Sequence, residues 1–427
     1  MLSREENDLL IRTNPGTPMG RYIRHFWIPV LFSQQLPEPD CPPVRVKVLG
    51  EKLVAFRDSQ GRVGLVDERC PHRNASMFFG RNEESGLRCV YHGWKFDVTG
   101  RCVDMPSEPP ESNFKNKVSI EAYPCEERGE VVWAYMGEPA KMPAFPDLEW
   151  TRVPPSHRFS SRHVMECNWM QGMDGGFDAS HLSFLHKGDA EGGRIVDLAT
   201  EYEPIVTDFG AIMASGRKRD GGNVHWSLDL LLLPFHKLIN RHGPPDAQIG
   251  THMWVPIDDE TCMIWSIEYH PHRPLTDRDL ARSKKFLYIH TENNPGSDHA
   301  VINRANDYMV DRERQASGAS FTGMKGLGIQ DCGIQESMGP ISDRTREHLG
   351  RYDRLVIHLR RILMSEVEGM EAGKPIKATV PGVHAVRSAF ATIHSGEPLQ
   401  NAIEKIIAPV PPPLVVEKPL LATAEVH

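Results

Sequence analysis

Two short pairings of cysteine with histidine constrain this chain more than any other feature. Cys70-Pro-His72 is followed, after sixteen intervening residues, by Cys89-Val-Tyr-His92 and then at once by Gly93-Trp94. Two thiolates and two imidazoles at such spacings are metal-site chemistry. In a Rieske [2Fe-2S] centre two cysteines hold one iron and two histidines the other, and the neutral imidazoles raise the reduction potential to about −150 to +300 mV. A Cys2His2 zinc knuckle is the competing reading, but zinc fingers pair Cys with Cys and His with His, whereas each pair here is mixed. The pattern therefore predicts an electron relay on two loops, carried by a strand-built frame.

With 427 residues and 40% hydrophobic side chains, the chain is long enough for two or three domains at about 150 residues each. A formal charge of −8, spread over 57 acids and 49 bases without long single-sign runs, favours solubility and gives no reason to expect nucleic acid. The start, Met1-Leu2-Ser3-Arg4-Glu5-Glu6, is too acidic for a signal peptide, and the longest apolar segment, Leu230 to Leu233, stops at Pro234, so a cytoplasmic protein without a membrane span is expected. Cys41, Cys102, Cys125, Cys167, Cys262 and Cys332 are scattered and read as buried thiols. Alternation in Val44, Val46 and Val48, and strand-like runs out to Val131–Met136, predict a small β domain around the two loops. Proline clustering between Lys141 and Ser156 marks a boundary. Beyond it come short β-like runs, then helical patterning from Thr276 onward, with a helix capped by Ser342 that carries Leu349, Leu355, Leu359 and Leu363 on one stripe.

A one-electron cluster does no organic chemistry unaided, so a receiver is sought downstream. His181 and His186, in a segment running from Asn168, are the candidate imidazole ligands of a mononuclear ferrous ion. Two histidines and one carboxylate on one face of iron leave adjacent positions open for dioxygen beside a substrate. Five residues apart in a regular helix they would point about 140° from each other, so a π-bulge or kink between them is expected. Asp178, three residues before His181, would share its helical face and orient its ring; capping the helix is the plainer role for it.

The set Cys-x-His and Cys-x2-His, followed by Asn168-Trp169-x-Gln171-x6-Asp178-x2-His181-x4-His186, resembles the oxygenase component of the Rieske non-heme iron oxygenases. Met1 to Asn7, Pro15 to Gly20 and Gln335 to Pro340 resemble, more narrowly, its phthalate dioxygenase-like branch. The likeness runs over nearly the whole chain up to the proline-rich tail. It implies an α+β architecture: an N-terminal segment (1–43) packed on the catalytic domain, an all-β Rieske domain (44–140), a catalytic domain of helices on an antiparallel sheet (141–407), and a proline-rich tail (408–427). It implies a homotrimer or a doubled trimer. Asp331 sits where the family would put the third iron ligand, with Asp307 and Asp311 as rivals. In the family, the position of Asp178 also bonds the Rieske histidine of the adjacent subunit, here His92, which would carry electrons from His92 through Asp178 to His181. The family often has Glu or Glu-Asn where this chain has Asp174-Gly175, so no catalytic role is read for Asp174.

No Gly-x-Gly-x2-Gly fingerprint appears in a strand-turn-helix setting, so electrons from NADH or NADPH are expected to enter through a separate reductase, with or without a ferredoxin. Dioxygen would then be used to insert one or two oxygen atoms into a small aromatic molecule, with dealkylation among the outcomes. Met213, Trp226, Leu232, Phe235, Met253 and Trp265 are candidate pocket residues, each equally at home in a core. Arg217, Lys218 and Arg219 are candidates for binding a carboxylate, but three consecutive side chains point in different directions and a solvated turn explains them at least as well, so the sequence does not establish an acidic substrate. A pure Rieske carrier or a zinc-stabilised binding protein is the alternative class.

Overall fold

The structure is a computed structural model that describes residues 1–189, 198–240, 248–400 and 403; the expected tail, 408–427, lies outside them. Two helices, α1 (Arg4–Ile11) and α2 (Pro18–Ile23), open the chain; Ser3 caps the first through its side chain, in a capping box with Glu6. The strands β1 (Trp27–Phe32), β2 (Val44–Val48), β3 (Glu51–Arg57), β4 (Val63–Asp67), β5 (Arg81–Glu83), β6 (Gly86–Arg88), β7 (Lys95–Phe96), β8 (Cys102–Asp104), β9 (Ala122–Tyr123), β10 (Cys125–Arg128) and β11 (Val131–Tyr135) follow. They make three small antiparallel sheets, in the orders β1-β11-β10, β2-β3-β4-β9 and β5-β6-β7-β8. The residues expected to form the leading segment are thus divided: the helices pack against the catalytic region, and Trp27–Phe32 pairs with Val131–Tyr135.

The second region holds β12 (Arg158–Met165), α3 (Trp169–Phe177), β13 (Glu201–Thr207), β14 (Gly210–Arg219), β15 (Asn223–Leu232), β16 (His236–Asn240), β17 (Ile249–Pro256) and β18 (Cys262–Tyr269). The short helices α4 (Asp277–Leu280) and α5 (Arg312–Ala316) lead to α6 (Leu327–Ser337), α7 (Arg354–Glu371) and a final strand, β19 (Ala389–His394). One sheet runs in the order β12-β18-β17-β16-β15-β14-β13, and β19 returns to pair with β15, antiparallel like every other pairing in it. Helices α3 and α7 lie against this sheet, giving the α+β architecture. The other face meets the Rieske-side strands, where Phe32 packs edge-on against Trp265 at 4.9 Å. The long helix starts at Arg354 and not near Ser342: Asp343, whose side chain accepts from Thr345 N–H, caps a separate 3₁₀ turn at Arg344–Arg346. Its amphipathic stripe holds from Leu355 on, with Leu355, Leu359 and Leu363 buried.

Two apolar cores result among the described residues. A compact one, with Phe56, Met77, Leu87, Trp94 and Phe96, lies beneath the two cysteine loops. The other is continuous from α1 through the Rieske-side β1-β11-β10 sheet to the large sheet and α7.

Candidate metal centres and substrate cavity

The two cysteine loops are built alike. In each the cysteine N–H donates to the carbonyl five residues on, Ala75 at 2.9 Å and Trp94 at 2.8 Å, and its carbonyl accepts from the N–H four residues on, Asn74 at 2.9 Å and Gly93 at 3.0 Å. That fourth residue is left-handed in both, Asn74 at φ 59° and Gly93 at φ 79°, the conformation that Gly and Asn adopt most cheaply. Cys70 and Cys89 are buried at 1% and 3% exposure, while Val90 and Tyr91 project into solvent. The His72 and His92 rings stand 4.4 Å apart, and His72 stacks on Trp94 at 4.4 Å. Burial pushes the Cys70 thiol up to about 11, with the Cys89 thiol adding to it, and His72 Nδ1 is buried without a hydrogen-bond partner. Two buried thiols facing two imidazoles, one with an orphaned ring nitrogen, form a donor set that fits a mixed Cys2His2 cluster and is poorly served without one.

The second centre hangs from α3. Asn168 caps this helix, accepting from Met170 N–H at 3.0 Å, and its amide donates to Ile11 O and Asp259 O at 2.9 and 2.7 Å. The glycines of α3 serve close approach. A Cβ at Gly172 or Gly176 would meet the Trp254 ring at 2.2 or 2.4 Å, and one at Gly175 would meet Gln335 at 2.1 Å. The helix stops at Phe177, with Asp178 as its C-cap in extended geometry, and His181 opens a 3₁₀ turn, His181–Ser183. Both histidines follow the helix break at Asp178, and in place of the expected π-bulge or kink a 3₁₀ turn and further turns separate them, with His181 O accepting from Phe184 N–H at 3.0 Å and Leu185 N–H at 2.7 Å. Asp178 and His181 share no helical face. Asp178 Oδ1 accepts from Ser180 N–H at 2.7 Å and Ser180 Oγ at 2.6 Å, which leaves Oδ2 at 3.6 Å from His181 Nδ1. Asp178 thus closes the helix through its backbone N–H, which donates to the Asp174 and Gly175 carbonyls, and faces the imidazole through its carboxylate.

The structure brings His181, His186 and Asp331 together, with one ligand atom of each within 4.8 Å of the others. Both Nε2 atoms face Asp331 Oδ1, at 3.5 and 3.3 Å, and that oxygen is buried without a hydrogen-bond partner. Burial acts to raise the Asp331 carboxyl, yet His186, His181 and the Lys237 ammonium outweigh it and hold it below the usual carboxylate range. Two imidazole nitrogens and a carboxylate oxygen converging on one point suit a 2-His-1-carboxylate ferrous site. The rivals lie elsewhere: Asp307 is an exposed residue in a left-handed turn, and Asp311 caps α5.

These three residues line a cavity of about 950 Å³. Its floor is one face of the large sheet, where period-two alternation selects Met213, Ser215, Arg217 and Arg219 from β14 and His252 and Trp254 from β17. Of the six apolar candidates only Met213 lines it. Trp226, Met253 and Trp265 have the opposite parity and are buried in the core, and Leu232 and Phe235 line a separate small pocket with Trp27 and Trp133. Arg217 and Arg219 belong to a strand, not a turn, so they share the cavity face while Lys218 is turned away. Beyond the sequence reading, Lys237 also lines the cavity; it pairs with Asp229 at 2.8 Å and donates to the Gly176 carbonyl in the last turn of α3. Its only signal in sequence is a lysine in an apolar strand.

Residues 26–124 match the family described as the Rieske [2Fe-2S] domain, and residues 234–394 match the LigXa C-terminal domain-like family. The chain is 36% identical to the oxygenase subunit of 3-chlorobenzoate-3,4-dioxygenase of Comamonas testosteroni, over 91% of this chain and 94% of the relative. It belongs to the Rieske non-heme iron oxygenases. This oxygenase is also 36% identical to the phthalate 4,5-dioxygenase oxygenase subunit of Pseudomonas putida, over 92% of each chain. In fold it is similar to the oxygenase of carbazole 1,9a-dioxygenase, solved in complex with a ferredoxin, with a TM-score of 0.54 and 18% identity over 85% of this chain and 92% of that one. As in its relatives, the cofactors are a Rieske [2Fe-2S] cluster and a mononuclear iron, and oxygenase subunits of this kind draw electrons from reductase or ferredoxin components. No helix among the described residues is long and apolar enough to cross a membrane.

Proposed function

We propose that this oxygenase acts on an aromatic carboxylate, with Cys70, Cys89, His72 and His92 holding the cluster and His181, His186 and Asp331 holding the iron. The observation that carries the substrate reading is the cavity itself: the iron-binding residues and the Arg217 and Arg219 pair line the same space. Guanidinium forks suit a carboxylate, and a volume of about 950 Å³ lies at the upper end of the range for small-molecule sites.

When bound, the iron supplies dioxygen activation, fed by electrons that the cluster stores. The protein's part is positional. Asp178, fixed by Ser180, faces the Nδ1 side of His181 and sets the direction of its ring. Trp254, wedged under the glycines of α3, fixes the depth of the helix that delivers His181. Arg217 and Arg219 would hold the substrate carboxylate so that the ring extends toward Asp331. None of the cluster-loop residues lines the cavity, which supports electron delivery between copies: His92 of one subunit against Asp178 of the next, in a ring of three. A separate NAD(P)H-dependent reductase would supply the electrons.

The test is turnover of a panel of benzoates, phthalates, methoxybenzoates and uncharged analogues with a reductase and labelled dioxygen, products read by mass spectrometry. One label with loss of an aldehyde marks dealkylation, and two labels in a diol mark dihydroxylation. Arg217→Gln should raise KM for the carboxylate by roughly 10- to 100-fold, the loss of one charge-assisted hydrogen bond of about 1.5–3 kcal/mol, and leave that for a neutral analogue unchanged. Equal preference for charged and uncharged rings would reject the carboxylate reading.

A further inference from the structure

His186 is met from behind by a side chain 144 residues away in sequence: its Nδ1 lies 2.7 Å from Gln330 Oε1. Gln330 has no exposed surface, and its amide can face only one way. Nε2 lies 3.0 Å from Asp189 Oδ2 and 3.0 Å from the Met324 carbonyl, both acceptors. Asp189 is itself held by donors, Arg314 Nη2 at 2.9 Å on Oδ1 and the Ser320 hydroxyl on Oδ2. Turning the amide over would set its oxygen against two acceptors and its NH₂ against the imidazole, forfeiting hydrogen bonds that a buried amide can ill afford to lose. Oε1 therefore faces the ring, Nδ1 carries the hydrogen, and the Nε2 lone pair is turned toward Asp331, 3.3 Å away.

We infer that Gln330, locked by Asp189, is a positioning residue that fixes the tautomer and orientation of His186. The inference rests on the reading that His186 holds the iron. It distinguishes the two imidazoles: His186 is braced by a neutral amide at bonding distance, whereas the Asp178 carboxylate stands 3.6 Å from His181. Partners of this kind typically change metal affinity about 10- to 100-fold.

The experiment uses full-length protein with its cluster loaded and the mononuclear iron removed, titrated anaerobically with Fe(II) and, separately, with Co(II) read by its visible bands. Gln330→Leu should weaken Fe(II) binding about 10- to 100-fold and alter the Co(II) bands, with the EPR signal of the reduced cluster unchanged. Asp189→Asn, which disturbs the lock without removing the amide, should shift both readouts in the same direction by less. The exchange Gln330→Glu with Asp189→Asn restores an acceptor toward Nδ1 and a donor behind it, and should recover part of the affinity lost in Gln330→Leu. Wild-type affinity and Co(II) bands in Gln330→Leu would overturn the inference, as would the same result in Asp189→Asn should the leucine variant not fold. Uptake of no second metal by the wild type would instead refute the iron-site reading, whatever stands at position 330.

Discussion

Asp174, left without a catalytic role in the sequence, carries a structural one whose size can be worked out. Its carboxylate accepts from Arg344 Nε and Nη2 at 3.1 and 2.9 Å and from Arg360 Nε and Nη2 at 3.0 and 2.8 Å. The arginine side chains are 1% and 4% exposed. At about 1.5–3 kcal/mol per charge-assisted bond, four would sum to about 6–12 kcal/mol, but that overstates the loss. Arg360 keeps both Glu347 oxygens, at 2.6 and 3.0 Å; Arg344 keeps a neutral acceptor, Asn7 Oδ1 at 3.3 Å. Asp174→Ala thus strands one buried cation, and the expected cost is about 3–5 kcal/mol. Arg360→Met should cost less, because Asp174 retains Arg344. Urea unfolding of chelator-treated protein, followed at tryptophan emission, suits the measurement, since Trp169 and Trp254 are buried in or against α3. A loss below about 1 kcal/mol, or a larger loss in Arg360→Met, would refute the reasoning.

Asp178→Ala should retain the cluster's visible spectrum and lose substrate oxidation; near-normal turnover would reject the proposed bridge to His181. Gly176→Ala sets a Cβ 2.4 Å from the Trp254 ring, and this overpacking should cost about 1–3 kcal/mol, read as a lower melting temperature together with reduced iron occupancy. Burial lowers His236 to about 3, with His384 adding to it, and burial lowers His384 to about 4. The unfolded chain, with imidazoles near about 6.5, then binds more protons, so stability is full above that value and falls as pH drops toward 4, by up to about 1.4 kcal/mol per pH unit per imidazole. Unfolding measured between pH 7 and 5 should show this slope, and His384→Gln should reduce it by one proton's share; an unchanged slope would exclude that histidine.

What could be read in the sequence was what short stretches of chain encode. Cys70, His72, Cys89 and His92 fall on two loops whose geometry is complete within six residues, so their spacing alone announced them. His181 and His186 were equally visible, but the way they meet was not. The glycines that let α3 press on Trp254 signal closeness without naming the partner, and the helix ends at Asp178, whose carboxylate turns to Ser180 outside it. The apolar pocket residues failed for a different reason: hydrophobicity marks burial, whereas which face of a strand opens on the cavity is a matter of parity. The same parity joins Arg217 to Arg219 across Lys218. Gln330 and Asp189 were silent, since a hydrogen bond spanning 141 residues leaves no local pattern.

The helix α3 joins these two kinds of information. Trp254 presses on it from the sheet, Gln335 from α6, and Arg344 and Arg360 hold Asp174 from the far side. Lys237 grips the carbonyl of Gly176 in its last turn. A helix held from so many directions leaves only the chain beyond it to vary, and that chain carries Asp178 and, three residues on, His181. Changes there can redirect a ring without disturbing the core. Changes within the helix must disturb both, so stability and iron geometry should be lost together in α3 and separately at Asp178.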